Sequence, residues 1–127
     1  VTQDIHVIRD ATRGGVGTVL YEIAAQSHVG IRLDRAAIPV APAVSGVCGM
    51  LGLEPLYLAC EGRLVVFAPQ AQADAIVTAL RQGPYSGNAA IIGTVTAEHA
   101  ERVTIRTEIG AETILPPPGG ELLPRIC

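Results

Sequence analysis

The segment Leu56–Pro69, LYLACEGRLVVFAP, gives the clearest indication of fold in this sequence. Two apolar runs flank Glu61 and Gly62, and they contain the aromatic and β-branched side chains that are typical of paired strands. Because neither run alternates with polar residues, we expect a sheet that is covered on both faces or a central pair of strands. The segment therefore predicts two strands joined by a turn at Glu61–Gly62.

Three helices are predicted around these strands. In Thr12–Gly30, TRGGVGTVLYEIAAQSHVG, apolar residues recur at helical spacing, and Thr12 is the predicted N-cap. Pro42 fits the first position of a second, short helix, and Pro69 fits the first position of a third. Proline is tolerated at this position because the N–H that it lacks would have no partner within the helix. All three helices thus have a residue at their start that favours helix initiation.

Further strand segments complete the fold prediction. IRLD and AAIIGTVTA each read as one strand, and Arg102–Pro116, RVTIRTEIGAETILP, alternates around a turn at Gly110 and predicts a hairpin. The resulting order is neither strict βαβ alternation nor all-β. We therefore expect the α+β class, with a mixed β-sheet and helices packed on it.

The composition restricts the class of protein. The chain has 127 residues, enough for one domain with a substantial core, and 49% of them are hydrophobic. Its formal net charge is −3 and it has no basic run, so no nucleic-acid surface is predicted. No apolar stretch approaches the roughly 18 residues of a membrane span, so no membrane association is expected.

The cysteines do not have the spacing of a metal site. Cys48, Cys60 and Cys127 include no CxxC pair and no cluster with histidine at zinc-binding spacing, so no metal ligand is predicted. Cys48 and Cys60 lie in apolar surroundings and are predicted to be small buried side chains. This use of cysteine suits the reducing cytoplasm.

The composition of the sequence changes after residue 115. The motif PPPGG at 116–120 combines a stiff segment with a flexible one, so residues 1–115 are predicted to form the domain and residues 116–127 a tether with a flexible tail that ends at Cys127. The extended chain from Gly119 to Cys127 spans roughly 26–29 Å. The adjacent α-carboxylate opposes formation of the thiolate, so the thiol requires activation where the tail binds. A terminal cysteine without a role is the alternative.

The motif Arg9–Gly15, RDATRGG, is a candidate anion site. Gly14 and Gly15 allow backbone N–H groups to approach a ligand closely at a helix N-terminus, where anions are favoured. Arg13 adds a guanidinium suited to phosphate, and Asp10 can hold Arg13 or help to coordinate a phosphate-bound metal ion. The alternative is a helix cap with a structural pair between Asp10 and Arg13.

Glu61 is a candidate general base. It lies where the chain turns out of a predicted buried sheet, so its carboxylate is expected at the edge of a site, where it can accept a proton. The alternative is a solvated turn residue without a chemical role.

Several motifs together resemble one family. They are RDATRGGVGTVLYEIA, IPV, LGLEPLYLACEGRLVV, AAIIGTV and the terminal PRIC, and they resemble the HypE family of nickel–iron hydrogenase maturation factors, within the PurM, selenophosphate-synthetase and thiamine-phosphate-kinase superfamily. The resemblance covers essentially the whole chain as the C-terminal domain of a two-domain protein. It departs at Ala11, where the family often has proline, and at Cys60, where asparagine is frequent. It implies a PurM C-terminal-domain-like fold, and the chain, which begins at Val1 in mid-pattern, is expected to lack an N-terminal ATP-binding domain.

The resemblance also implies an activity. In HypE-like proteins the terminal thiol receives a carbamoyl group from the HypF carbamoyltransferase, the carboxamide is dehydrated with ATP to a thiocyanate, and the cyano group passes to iron held by the HypC–HypD complex. The implied cofactors are ATP and Mg²⁺, bound mainly by the N-terminal domain, and the full-length protein is implied to be a homodimer. The isolated domain is expected to be inactive.

The same resemblance implies roles for individual residues. Cys127 is implied to carry the carbamoyl and cyano groups, and Glu61 to be the base for the amide proton. The residues implied to lie near the nucleotide phosphates are Asp10, Arg13, Gly14 and Gly15. The residues implied to dock the tail are Pro124, Arg125 and Ile126.

Two other functions stay open at this stage. One is a superfamily kinase or synthetase that phosphorylates a small molecule, for which Cys127 is incidental. The other is a non-catalytic module that docks a maturation partner. Deletion of the tail distinguishes the self-modifying carrier from the small-molecule kinase, because only the carrier requires Cys127.

Overall fold

The computed structural model describes residues 3–119, which form three α-helices and two β-sheets. The helices are α1 (Gly15–Ser27), α2 (Pro42–Leu51) and α3 (Gln70–Arg81). The strands are β1 (Val7–Asp10), β2 (Gly30–Asp34), β3 (Leu64–Phe67), β4 (Gly93–Thr96), β5 (Val103–Arg106) and β6 (Glu112–Ile114). The tail residues Pro124, Arg125, Ile126 and Cys127 lie outside the described residues.

The larger sheet is mixed and has the strand order β4-β2-β5-β6. Strand β2 runs parallel to β5, pairing Ile31 with Val103 and Leu33 with Ile105, while β4 and β6 run antiparallel to their neighbours. These four side chains are at most 3% exposed, so one face of the sheet forms the core. Helix α1 contributes to the same core cluster through Leu20, Tyr21 and Ala24. A mixed sheet with a helix on its buried face confirms the predicted α+β class.

The smaller sheet corrects the prediction made from Leu56–Pro69. Only its second half is a strand, and β3 pairs antiparallel with β1, whose strand character the sequence prediction missed. The first half begins with a 3₁₀ turn, Pro55–Tyr57, in which the carboxylate of Glu54 accepts from the N–H of Leu56 at 3.3 Å. Leu56 is only 4% exposed, so the apolarity of this run reflects burial beside α1 rather than strand pairing.

The start of α1 also differs from the prediction. Its N-cap is Gly14 rather than Thr12, and Gly14 and Gly15 adopt left-handed φ angles of 71° and 76°. A left-handed conformation carries little steric cost only for glycine, so the two glycines determine where the helix begins. Among residues 3–119, no side chain caps α1.

Several other local predictions are confirmed. Helix α2 begins at Pro42 as predicted, whereas Pro69 is the N-cap of α3 rather than its first residue. The hairpin of β5 and β6 turns at Gly110, which has a φ of 87°. Cys48 is buried as predicted, whereas Cys60 is half-buried.

Within residues 3–119, no helix combines the length and the apolar character needed to cross a bilayer.

Candidate functional site

The two motifs singled out in the sequence meet at one end of the β1–β3 ribbon. Asp10 is the last residue of β1 and lies opposite Leu64, the first residue of β3. Beyond this pair, the N–H of Ala11 donates to the carbonyl of Arg63 at 3.2 Å, and the N–H of Cys60 donates to the carbonyl of Ala11 at 3.0 Å. The glycine-rich loop and the turn that carries the candidate base are thus bonded to each other through their backbones.

The glycines of the loop allow a close backbone contact. A Cβ atom on Gly15 would lie 2.5 Å from the carbonyl oxygen of Leu56 and 2.6 Å from that of Leu58. Helix α1 therefore begins directly against the 56–58 segment, at a distance that only glycine permits. The hydroxyl of Thr18 donates to the carbonyl of Gly14 at 2.8 Å, which fixes the loop from the helix side. The N-cap Gly14 is exposed, whereas Gly15, the first residue of α1, is buried against this segment.

The charged residues at this end of the ribbon are exposed. Asp10 and Arg13 both face solvent, and within residues 3–119 no ion pair joins them. The ion pair that links β1 to α1 is instead Arg9 with Glu22, at 2.7 Å. The structural pair considered as the alternative for the motif is therefore absent from the described residues.

Glu61 lies in the turn that precedes β3, and its side chain is exposed. Gly62 completes the turn with a φ of 68°. The structure thus brings together Glu61, Asp10, Arg13, Gly14 and Gly15 at the same end of the ribbon. Cys127, which is expected to meet them, lies outside the described residues.

Two tyrosines that no sequence motif marked as functional bind the backbone of Leu115 and Pro116, the two residues that form the root of the tail. The hydroxyl of Tyr21 donates to the carbonyl of Leu115, and the hydroxyl of Tyr57 donates to the carbonyl of Pro116. Burial is the main factor that raises the pKa of Tyr57 from its ordinary value. Its hydroxyl therefore keeps the proton that the bond requires. The sequence marks Tyr57 only by its position inside the motif LYLACEG.

A half-buried ion pair supports the turn that carries Tyr57. The two terminal guanidinium nitrogens of Arg35 donate to the carboxylate of Glu54, at 3.1 and 2.7 Å. The hydrogen bond to Glu54 is the main factor that raises the pKa of Arg35. Because Glu54 also caps the turn at Leu56, the ion pair connects the segment after β2 to the tail root.

The chain matches the family described as AIR synthase related protein, C-terminal domain, over residues 2–106. It is 47% identical over 123 residues to the carbamoyl dehydratase HypE of Rhodobacter capsulatus, covering 97% of this chain and 36% of that protein. It is 46% identical over 127 residues to the carbamoyl dehydratase HypE of Cupriavidus necator, covering 100% of this chain and 36% of that protein. The chain thus spans little more than a third of the length of these curated relatives.

Solved structures give the same result. A crystal structure of the hydrogenase maturation protein HypE has a TM-score of 0.89 at 45% identity and covers 98% of this chain and 40% of that one. HypE in complex with ATP has a TM-score of 0.87 at 44% identity, with coverages of 98% and 38%. A HypE–HypF complex has a TM-score of 0.86 at 38% identity, with coverages of 91% and 37%. These similarities confirm the resemblance and the fold that the sequence predicted.

Proposed function

The chain belongs to the family of AIR synthase related protein C-terminal domains, and we propose that it is the C-terminal domain of a HypE-type carbamoyl dehydratase. The observation that carries this proposal is the similarity to HypE proteins over nearly the whole chain. In this proposal, the longer protein dehydrates a carboxamide on its own terminal cysteine, Cys127, and so provides the cyanide ligands of a hydrogenase iron.

The proposed chemistry takes place on the sulfur of Cys127. Carbamoyl transfer gives an S–C(=O)–NH₂ group, whose oxygen is a poor leaving group. ATP supplies the phosphoryl group that converts this oxygen into phosphate. The nitrogen loses one proton as the O-phosphorylated imidate forms and a second as the C–O bond breaks. The products are a thiocyanate on the sulfur, ADP and inorganic phosphate.

The ribbon end supplies groups that suit these steps. The exposed carboxylate of Glu61 accepts a proton from the nitrogen, a contribution typical of general bases. Arg13 and the N–H groups at Gly14 and Gly15 lie at the same end and favour the negative charge of a phosphate. Asp10 ends the neighbouring strand and contributes a carboxylate to the same surface. Enclosure by the rest of the longer protein would keep water from the reacting groups.

We assign no Mg²⁺ ligand set to this domain. In the part of the chain that the structure describes, no three or more His, Cys, Asp or Glu side chains are grouped so that they can hold a metal ion. ATP and Mg²⁺ are therefore proposed to be bound mainly by the N-terminal domain, with residues such as Arg13 completing the phosphate surroundings.

The partners follow from the same proposal. A HypF-type carbamoyltransferase is the proposed donor, which is supported by the structure of a related HypE with HypF. A HypC–HypD complex that holds the iron is the proposed acceptor. We further propose that the longer protein is a cytoplasmic homodimer.

Mass spectrometry of the C-terminal peptide tests this function. The full-length protein is incubated with its carbamoyl donor system, with and without ATP, and cleaved after Glu121 to release residues 122–127. We expect this peptide to gain the mass of a carbamoyl group and then to lose that of one water only when ATP is present.

A Cys127→Ser variant and a Cys60→Ser variant serve as matched controls in the same assay. The first is expected to lose the adduct and the second to retain it. If Cys127 never gains a carbamoyl group, or if the carboxamide keeps its water in the presence of ATP, the proposal is wrong. ATP-dependent phosphorylation of a small molecule by the tail-deleted protein would instead indicate the superfamily kinase.

A further inference from the structure

We propose that Tyr57 is a positioning residue that fixes the direction in which the C-terminal tail leaves the domain. This inference rests on the proposed function, since direction matters only if Cys127 must reach a defined site. Tyr57 touches no reacting atom. It acts through the backbone of Pro116, whose carbonyl accepts its hydrogen bond.

The chain is firmly held up to the residue before Pro116. Leu115 is 1% exposed, its N–H donates to the carbonyl of Val103 at 2.9 Å, and its carbonyl accepts from Tyr21. Burial and two hydrogen bonds therefore fix the end of the domain. Pro116 is the first residue beyond this point, and its side chain is exposed. Within residues 3–119, the bond from Tyr57 to Pro116 is thus the hydrogen bond nearest the C-terminus.

The sequence after this bond transmits the orientation. Residues 116–118 are three consecutive prolines, whose φ angles are restricted by their rings. A polyproline segment is a semi-rigid spacer that rises about 3.1 Å per residue, so the direction set at Pro116 persists for about 9 Å, as far as Gly119. A flexible segment at this position would lose the orientation within a residue or two. The hydrogen bond at Pro116 and the polyproline spacer together hold the first part of the tail in one direction.

Tyr57 is itself held on both sides. A Cβ atom on Gly17 would lie 2.6 Å from the ring of Tyr57, so the ring packs directly on α1 where glycine leaves room. The N–H of Tyr57 donates to the carbonyl of Glu54 at 3.0 Å, and Arg35 holds the carboxylate of the same glutamate. The hydroxyl therefore has a fixed position relative to the core.

The same short segment leads to the candidate base. Glu61 follows Tyr57 by four residues, and the segment between them is bonded to the glycine-rich loop through Cys60 and Ala11. The tail root and the proposed chemical groups therefore share one support. From Pro116, the extended chain to Cys127 reaches roughly 36–40 Å, so an unoriented thiol would sample a large volume. An oriented tail root reduces the volume that the thiol samples.

Tyr57→Phe tests the inference, because it removes the hydroxyl and keeps the ring that packs on Gly17. Tyr85→Phe is the matched control, since Tyr85 is 97% exposed. In the full-length protein, the carboxamide is first formed on Cys127, and the rate of its dehydration is then measured in a single turnover over a range of ATP concentrations. We expect Tyr57→Phe to be about fivefold slower, the typical consequence of one lost hydrogen bond, with an unchanged dependence on ATP. Tyr85→Phe is expected to match the wild type.

A second readout does not depend on the chemistry. A fluorophore is attached to Cys127 in full-length protein whose other exposed cysteines are serine, and its time-resolved anisotropy is recorded. We expect Tyr57→Phe to increase the amplitude of fast tail motion, whereas a merely structural role would lower the thermal midpoint and leave this amplitude unchanged. An unchanged amplitude, or a wild-type rate of dehydration, overturns the inference. If the wild type itself never forms the adduct, the proposed function fails, and the anisotropy still decides whether Tyr57 directs the tail.

Discussion

The amide of Cys60 donates to the carbonyl of Ala11 at 3.0 Å, and through this bond the strand-entry turn and the glycine-rich loop form one unit. Ala11 is fully buried, and its own N–H is bonded to Arg63, so the loop cannot move away from the turn without breaking both bonds. The relative position of Glu61 and the start of α1 is therefore a property of the folded backbone and does not depend on the exposed side chains.

Gly15→Ala is expected to destabilise the domain by about 2–5 kcal/mol. A side chain at this left-handed position is strained, and its Cβ would collide with two carbonyl oxygens of the 56–58 segment. Urea unfolding measures the effect. Gly46→Ala in α2 is the matched control, because a Cβ there meets nothing within 4 Å, and it is expected to stabilise by about 0.5–1 kcal/mol. Equal stabilities for the two variants would contradict the packing described for α1.

The ion pairs Arg35–Glu54 and Arg9–Glu22 are expected to differ in their contribution to stability. Glu54→Gln should lower the free energy of unfolding by about 1–2 kcal/mol, because it leaves the half-buried Arg35 without its charged partner. Glu22→Gln should cost at most about 0.5 kcal/mol, since its pair with Arg9 is more exposed and better screened. Urea unfolding of both variants measures this difference. A larger loss in Glu22→Gln than in Glu54→Gln would contradict the expected order of the two ion pairs.

Much of this fold could be predicted from local sequence signals. The helical spacing in α1, the proline at the start of α2 and the glycine at the β5–β6 turn each act within a few residues, and each of these elements forms within the predicted segment. The apolar run before Glu61 was misinterpreted because apolarity indicates burial without indicating what provides the cover. Strand β1 was missed because its partner lies more than fifty residues away in the sequence.

The candidate site shows the same limit. RDATRGG and CEG could each be identified from residue types, but their proximity follows from the β1–β3 register, which no local pattern encodes. The bond from Tyr57 to Pro116 joins residues 59 positions apart and involves a backbone acceptor, so neither residue carries a distinguishing mark in the sequence. The exposure of the Glu61 side chain to solvent also could not be predicted from the sequence, because it depends on how the turn packs in the fold.

Stability at alkaline pH is expected to depend on Tyr57. Burial raises the pKa of Tyr57, with smaller contributions from Tyr21 and Glu54, so the folded chain keeps the phenolic proton at pH values where the unfolded chain loses it. This contribution is complete below the unfolded pKa of about 10 and is lost as pH rises through the folded pKa.

The thermal midpoint measured between about pH 8 and pH 11 tests this expectation, since that range spans the ordinary tyrosine pKa. The difference in midpoint between the wild type and Tyr57→Phe should narrow above about pH 10. Tyr85→Phe should follow the wild type throughout. A constant difference in thermal midpoint across the range would show that the phenolic proton of Tyr57 does not contribute to stability.

Glu61→Gln is expected to slow dehydration of the carboxamide on Cys127 by about 10²–10⁴-fold in the full-length protein, the usual contribution of a general base. Because Glu61 is exposed, the variant should keep the stability of the wild type, and because carbamoyl transfer to the thiol does not use this base, the adduct should still form. Mass spectrometry then detects the carboxamide accumulating without loss of water. Glu112→Gln, an exposed glutamate on β6, is the matched control and should dehydrate normally. Normal dehydration by Glu61→Gln would assign the proton transfer to another group, whereas failure of the adduct to form would place Glu61 in the earlier step.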